Sequence, residues 1–191
     1  MIHIVLFQPE KPMNTGNIMR TCKATGSKLH IIGPLTYQID DKGLQRAGMD
    51  YLIGFEFSYY ENYEEFLQKN NNPTMHFITR YGFKAPSEGD FSDSNSDIYV
   101  MFGKESTGIP KKILKSDLER CYRLPMVEDA RSLNLSNCVA VVTYEILRQQ
   151  NYISLSRKEV IKGEDFLLRV NNDDWYLLNI NSINSKIMVY G

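Results

Sequence analysis

No charge of either sign dominates this sequence. Its 191 residues carry 22 Lys and Arg against 23 Asp and Glu, a formal net charge of −1. A protein that coats nucleic acid nonspecifically needs a strong basic excess, so that class is excluded, whereas a local basic patch stays compatible. Cysteine is scarce: Cys22, Cys121 and Cys138 are far apart and odd in number. They offer no disulfide framework and fit buried free thiols in a reducing cytosol. The single tryptophan, Trp175, has packing as its default role. No apolar run approaches the roughly 20 residues of a membrane span. Met1 to Phe7 is too short for a signal peptide and lacks a basic start. A cytoplasmic location with no membrane contact is therefore expected. His3, His30 and His76 show no ligand spacing, so no metal site is expected. No G-x-G-x-x-G follows the first apolar run, so a plain dinucleotide-binding fold lacks its fingerprint.

What is present is an ordinary globular balance, 42% hydrophobic and 24% charged, in a chain of one-domain length. Ile2 to Phe7 reads as a buried strand. Thr15 to Thr25 reads as a helix capped by Asn14 and stopped by Gly26. Leu29 to Ile32 is the next strand. This strand, helix, strand order signals a parallel sheet with covering helices. Asp41 to Ala47 reads as a short helix, Phe55 to Tyr60 as strand and Tyr63 to Lys69 as helix. His76 to Thr79, Ile98 to Phe102 and Cys121 to Leu124 complete the strands. Gly82 to Ser96 is loop, and Ile109 to Leu114 a short helix with Pro110 in its first turn. The expected fold is α/β: a mostly parallel open sheet with helices on both faces. Ligands in such sheets sit beyond the carboxyl ends of the strands.

The stretch from Leu124 to Arg148 organises the rest. A polar loop, Glu128 to Asn137, feeds an apolar segment, Cys138 to Leu147, read as a helix buried on nearly every face. Ser132, Asn134 and Ser136 are residues that cap helix N-termini, where free N–H groups favour a carboxylate or phosphate. Two more motifs precede it: Asn14-Thr15-Gly16-Asn17-Ile18-Met19-Arg20, and Phe102-Gly103-Lys104-Glu105-Ser106-Thr107-Gly108-Ile109-Pro110. The third is Arg131-Ser132-Leu133-Asn134-Leu135-Ser136-Asn137.

In this order and separation the three motifs resemble those of SPOUT-class RNA ribose 2′-O-methyltransferases, and most of all the small TrmL-like (YibK-like) type that modifies the tRNA wobble nucleotide. The resemblance covers residues 1–152. Residues 153–191 stand outside it as a C-terminal extension, expected to form two or three short strands as a small hairpin or meander around an Asn/Asp turn. The resemblance implies a deep trefoil knot formed by roughly residues 103–148, a homodimer, a tRNA partner and S-adenosylmethionine as methyl donor. It places the donor against Ile78, Thr79, Gly103, Leu124, Met126, Ser132 and Leu133. It makes Arg20 catalytic, with Asn14 and Glu105 supporting it. A guanidinium is a poor base near neutral pH, so a cation holding the adjacent phosphate is the easier physics for Arg20. Arg20, Lys104 and Arg131 are the expected RNA contacts, within a wider set of cations, Lys11, Lys23, Arg80, Lys84, Lys111 and Lys112. Asn137 is expected to fix the loop. Glu128 stands where relatives can carry proline, and Lys104 and Ser106 are variants within the second motif. A methyltransferase of another RNA position and a non-catalytic RNA-binding protein are the alternatives.

Overall fold

The computed structural model describes residues 1–39 and 53–168. These fall in two compact units, Met1–Ser154 and the part of Leu155–Gly191 that is described. In the first unit the chain runs β1 (Ile2–Phe7), α1 (Pro12–Thr25), β2 (Lys28–Ile32), β3 (Ser58–Tyr60), α2 (Tyr63–Lys69) and β4 (Met75–Ile78). It continues as β5 (Ile98–Phe102), α3 (Lys111–Leu114), β6 (Cys121–Tyr122) and α4 (Leu135–Gln149). The described strands form one six-stranded sheet in the order β3-β2-β1-β5-β4-β6, with every pair parallel. Among the described residues no helix is long and apolar enough to cross a membrane.

The continuous apolar runs of β1 and β5 are buried at every position, as strands covered on both faces must be. On one face Val5, Phe7, Ile32, Phe77 and Met101 pack with Phe66 of α2 and Leu114 of α3. Phe66 is fully buried, and a ring that size contributes about 2–3 kcal/mol by leaving water. Alternation sends Ile4, Leu6, Ile31 and Val100 to the other face, where α1 packs on β2 and α4.

Several expectations are corrected here. Helix α1 starts at Pro12 with Lys11 as its N-cap residue, so Asn14 lies inside the first turn and is buried. Proline at the first helical position has no N–H to leave unpaired, which lets the helix begin earlier. Helix α4 starts at Leu135, capped by Asn134, whose side chain accepts from Ser136 N. It buries Val139, Val142, Thr143, Ile146 and Leu147 but leaves Val141 49% and Tyr144 48% exposed, so it is not covered all round. Cys22 and Cys121 are buried thiols, whereas Cys138 is only half-buried. The expected helix at Asp41 to Ala47 lies outside the described residues. In the second unit Phe166–Leu168 is a 3-10 turn and not a strand. It is closed by Phe166 N to Gly163 O at 3.2 Å and Leu168 N to Asp165 O at 2.8 Å. The other strands expected beyond it lie outside the described residues.

Candidate active site

The loops leaving β1, β4, β5 and β6 emerge at one edge of the sheet, beside the N-terminus of α4, and enclose a cleft of about 600 Å³. That volume lies within the roughly 300–1,000 Å³ of small-molecule sites. Its walls include Asn14, Ile78, Thr79, Gly103, Lys104, Glu105, Leu124, Met126, Ser132 and Leu133. The structure thus brings these ten sequence-derived positions together. Arg20 and Arg131 are exposed and do not line the cleft.

Glu105 sits at the centre of the arrangement. Its carboxylate accepts from Glu10 N at 2.8 Å, Lys11 N at 3.2 Å and Asn14 Nδ2 at 2.7 Å. A carboxylate so placed meets the positive end of α1 and does the work that Lys11 cannot do as a cap. Asn14 Oδ1 in turn accepts from Asn134 Nδ2 at 2.9 Å, and Asn134 Oδ1 accepts from Ser136 N at 2.8 Å and Ser136 Oγ at 2.7 Å. The donors all point one way, from Ser136 through Asn134 and Asn14 to the Glu105 carboxylate. Each bond polarises the next. This run joins all three motifs.

A second tie works in the opposite sense. Glu10 accepts from Ser106 N at 2.9 Å and Ser106 Oγ at 2.7 Å. The Ser106 hydroxyl, followed by its backbone N–H, holds the Glu10 carboxyl below the usual carboxylate range. Gly103 is required by packing: a Cβ there would lie 2.1 Å from the Gly108 carbonyl carbon and 2.3 Å from Ile109 N. Gly108 turns the loop with φ at 73°, a conformation that disfavours other residues. Its N–H donates to Lys104 O at 2.9 Å, which closes the loop.

Lys11, Arg80, Lys104 and Arg123 bring positive charge to the cleft, and among the described residues Glu105 is the one carboxylate on its wall. Ile78, Leu124 and Met126 are half-buried and Leu133 is 45% exposed. They form an apolar slot of the kind that takes an adenine ring, next to cations and a helix N-terminus suited to a carboxylate. The donor set therefore fits S-adenosylmethionine. Glu10, Tyr81 and Arg123 were not marked by the sequence, and Cys138 was marked only as a thiol and not as a cleft residue. Glu10 meets Ser106 across 96 positions, and no local pattern carries that. The hydrogen bonds that tie the loop are those of the Asn134 side chain, in place of the expected Asn137. Among the described residues no group of three or more His, Cys, Asp or Glu side chains is placed to hold a metal ion.

The chain is 48% identical to a Geobacillus stearothermophilus protein over 155 residues, 81% of this chain and 99% of the relative. It is 44% identical over 153 residues to the tRNA (cytidine(34)-2′-O)-methyltransferase of Escherichia coli K12, covering 80% of this chain and 96% of that one. A solved structure described as giving insight into the 2-OH methylation of C/U34 on tRNA superposes with a TM-score of 0.71 at 34% identity. That match covers 80% of this chain and 97% of the other. Residues 1–144 match the SpoU rRNA Methylase family, and the chain belongs to that family.

Proposed function

We propose that this protein transfers a methyl group from S-adenosylmethionine to the ribose 2′-hydroxyl of the wobble nucleotide, position 34, of tRNA. The observation that carries the reading is the run of hydrogen bonds from Ser136 to Glu105, which ties three separated motifs around one cleft. Relatives of 44–48% identity span the same stretch. A tRNA substrate implies a cytoplasmic location.

When bound, S-adenosylmethionine supplies an electrophilic methyl group. Ile78, Leu124, Met126 and Leu133 hold the adenine, and the backbone at Thr79 and Gly103 allows its close approach. Ser132 and the start of α4 receive the amino-acid end. Asn14 and Glu105 do not touch the reacting atoms; they fix the loops so that ribose and donor meet in line, and such positioning lowers the barrier. Lys104 and Arg131 contact RNA phosphate.

Arg20 serves the cleft of a second subunit in this reading. It lies on the exposed face of α1 that also carries Met13 and Asn17 at helical spacing. Helix α1 packs on α4, which exposes Val141 and Tyr144. A homodimer built on these two helices covers that apolar surface. The partner subunit's Arg20 then holds the phosphate beside the target ribose and lowers the pKa of its hydroxyl.

The trefoil knot is part of the same reading. Arg123 N donates to Lys84 O at 2.8 Å. Further on, Phe91 N donates to Gln149 Oε1 at 2.9 Å and Gln150 Nε2 donates to Phe91 O at 3.1 Å. The chain from 123 to 150 is thus gripped at both ends by the β4–β5 connection, which supports threading through it. An experimentally traced backbone across those two segments decides the point. Residues 1–152 are the methyltransferase domain on this reading, and 153–191 an extension to it.

The functional test incubates purified protein, S-adenosylmethionine and unmodified tRNA, then digests the RNA for mass spectrometry. The expected product is a 2′-O-methylated nucleotide at position 34. Methylation only elsewhere, or none with donor binding intact, overturns the reading.

A further inference from the structure

Two aromatic rings stand in water on the loop that follows β4 into the cleft wall: Tyr81 is 64% and Phe83 84% exposed. They belong to the run Arg80-Tyr81-Gly82-Phe83-Lys84 after β4, and Arg80 and Tyr81 also line the cleft. This loop is held firmly. Thr79 N donates to Tyr122 O at 2.9 Å at one end, and Arg123 N to Lys84 O at 2.8 Å at the other. Between them Gly82 lies flat on β6, since a Cβ there would come 2.4 Å from the Tyr122 carbonyl carbon and 2.7 Å from Arg123 N. A backbone pinned at three points fixes where the two side chains leave the loop. Exposed apolar surface held in place beside a ligand cleft marks a contact surface.

We propose that Tyr81 and Phe83 are a stacking platform for the unpaired bases that flank the methylated nucleotide. The inference rests on the tRNA reading above and assigns the residues that receive the target's neighbours. Unpaired bases offer flat π faces that stack on aromatic side chains, with cations taking the phosphates between them. The cations are present: the Arg80 guanidinium lies 5.9 Å from the Tyr81 ring centroid, and the exposed Arg123 lines the same cleft. Lys84 is tied to Glu119 at 2.8 Å, so the phosphate contacts fall to the two arginines. Rings interleaved with arginine match a polyanion that carries aromatic bases, and this charge pattern favours RNA over a protein partner.

The test measures binding of a fluorescent anticodon stem-loop hairpin by anisotropy, with S-adenosylmethionine binding by calorimetry as the control for an intact cleft. Phe83 does not line that cleft, so Phe83→Ala is the principal variant. It is expected to weaken hairpin binding about 10-fold, within the range for loss of one stacked base, with donor affinity unchanged. Tyr81→Ala weakens hairpin binding similarly, and in tRNA kinetics both raise KM more than they lower kcat. Phe83→Trp restores binding, while Phe83→Leu, apolar but without a π face, does not. Unchanged hairpin affinity in both alanine variants overturns the platform, as does rescue by leucine. A shift from dimer to monomer in Phe83→Ala assigns the ring to a subunit interface and also overturns it. Loss of hairpin binding in the alanine variants, with a wild type that binds the hairpin but methylates no tRNA, keeps the platform and overturns the reaction. Wild-type protein that neither methylates nor binds overturns both.

Discussion

Asn14 is where the three loops meet. It donates to Glu105 and accepts from Asn134, at 2.7 and 2.9 Å. Asn14→Ala removes both bonds and leaves the Asn134 amide hydrogen and a Glu105 oxygen to find water. Two such losses come to about 2–3 kcal/mol. Part of that appears as a Tm lowered by several degrees, and part as loop disorder that lowers kcat/KM roughly 10- to 100-fold. Asn14→Asp sets a second carboxylate against Glu105 and is expected to be worse than alanine at pH 7. Thermal melts and steady-state kinetics check both; an alanine variant with full kcat/KM shows that the run of bonds does not position the site. The sequence marked Asn14 and Glu105 as belonging together but could not say how. It read Asn14 as a cap because Asn is a good one, when Pro12 two residues earlier was the stronger signal for the helix start. Glu10 carried no signal at all. Its partner, Ser106, is set by the way the sheet brings two loops together, and only the fold supplies that.

Among the elements, β1 and β5 were legible because a strand buried on both faces must be almost wholly apolar, with His3 the one exception in β1. Helix α4 was legible as a helix, but its surroundings were misjudged. Its apolar residues go nearly all round, and within one chain α1 and the sheet cover only part of them. The uncovered stripe, Val141 and Tyr144, is what a second subunit would complete. Tyr144→Glu tests this at small cost to the monomer, since substitutions at exposed sites usually change stability by no more than about 0.5 kcal/mol. Light scattering after size exclusion is expected to show a dimer for the wild type and a monomer for Tyr144→Glu. Methyl transfer should fall with the dimer, because the partner subunit's Arg20 is then missing from each cleft, while donor affinity stays within a few fold. A monomeric wild type, or a monomeric variant with full activity, removes the shared site.

At the scale of the whole molecule, the three histidines couple stability to pH. All of them sit on strands of the sheet, in β1, β2 and β4. His3 Nδ1 lies 2.9 Å from His30 Nε2, and His30 Nδ1 lies 2.9 Å from the Tyr60 hydroxyl, so one shared run of hydrogen bonds crosses three strands. Burial, then the neighbouring His3, pushes His30 down from 6.5 to about 4. Burial also lowers His3, with Asp97 partly offsetting it. His76 stacks edge-on to Phe91 with ring centroids 4.9 Å apart. Burial, then Arg120, pushes it down to about 4. Each imidazole therefore stays neutral in the folded protein at a pH where the unfolded chain already binds a proton. Between about 6.5 and 4 the unfolded state holds more protons, so stability falls as pH falls through that window and levels off below it. For His76 alone the loss reaches at most about 3 kcal/mol at the acid end. The wild-type Tm is thus expected to drop steadily from pH 7 to pH 4.5. His76→Phe keeps a ring against Phe91 and has nothing to protonate, so its Tm should fall less steeply over the same range. Parallel slopes for the two proteins would mean that His76 takes up its proton at the same pH in the folded sheet as in the unfolded chain.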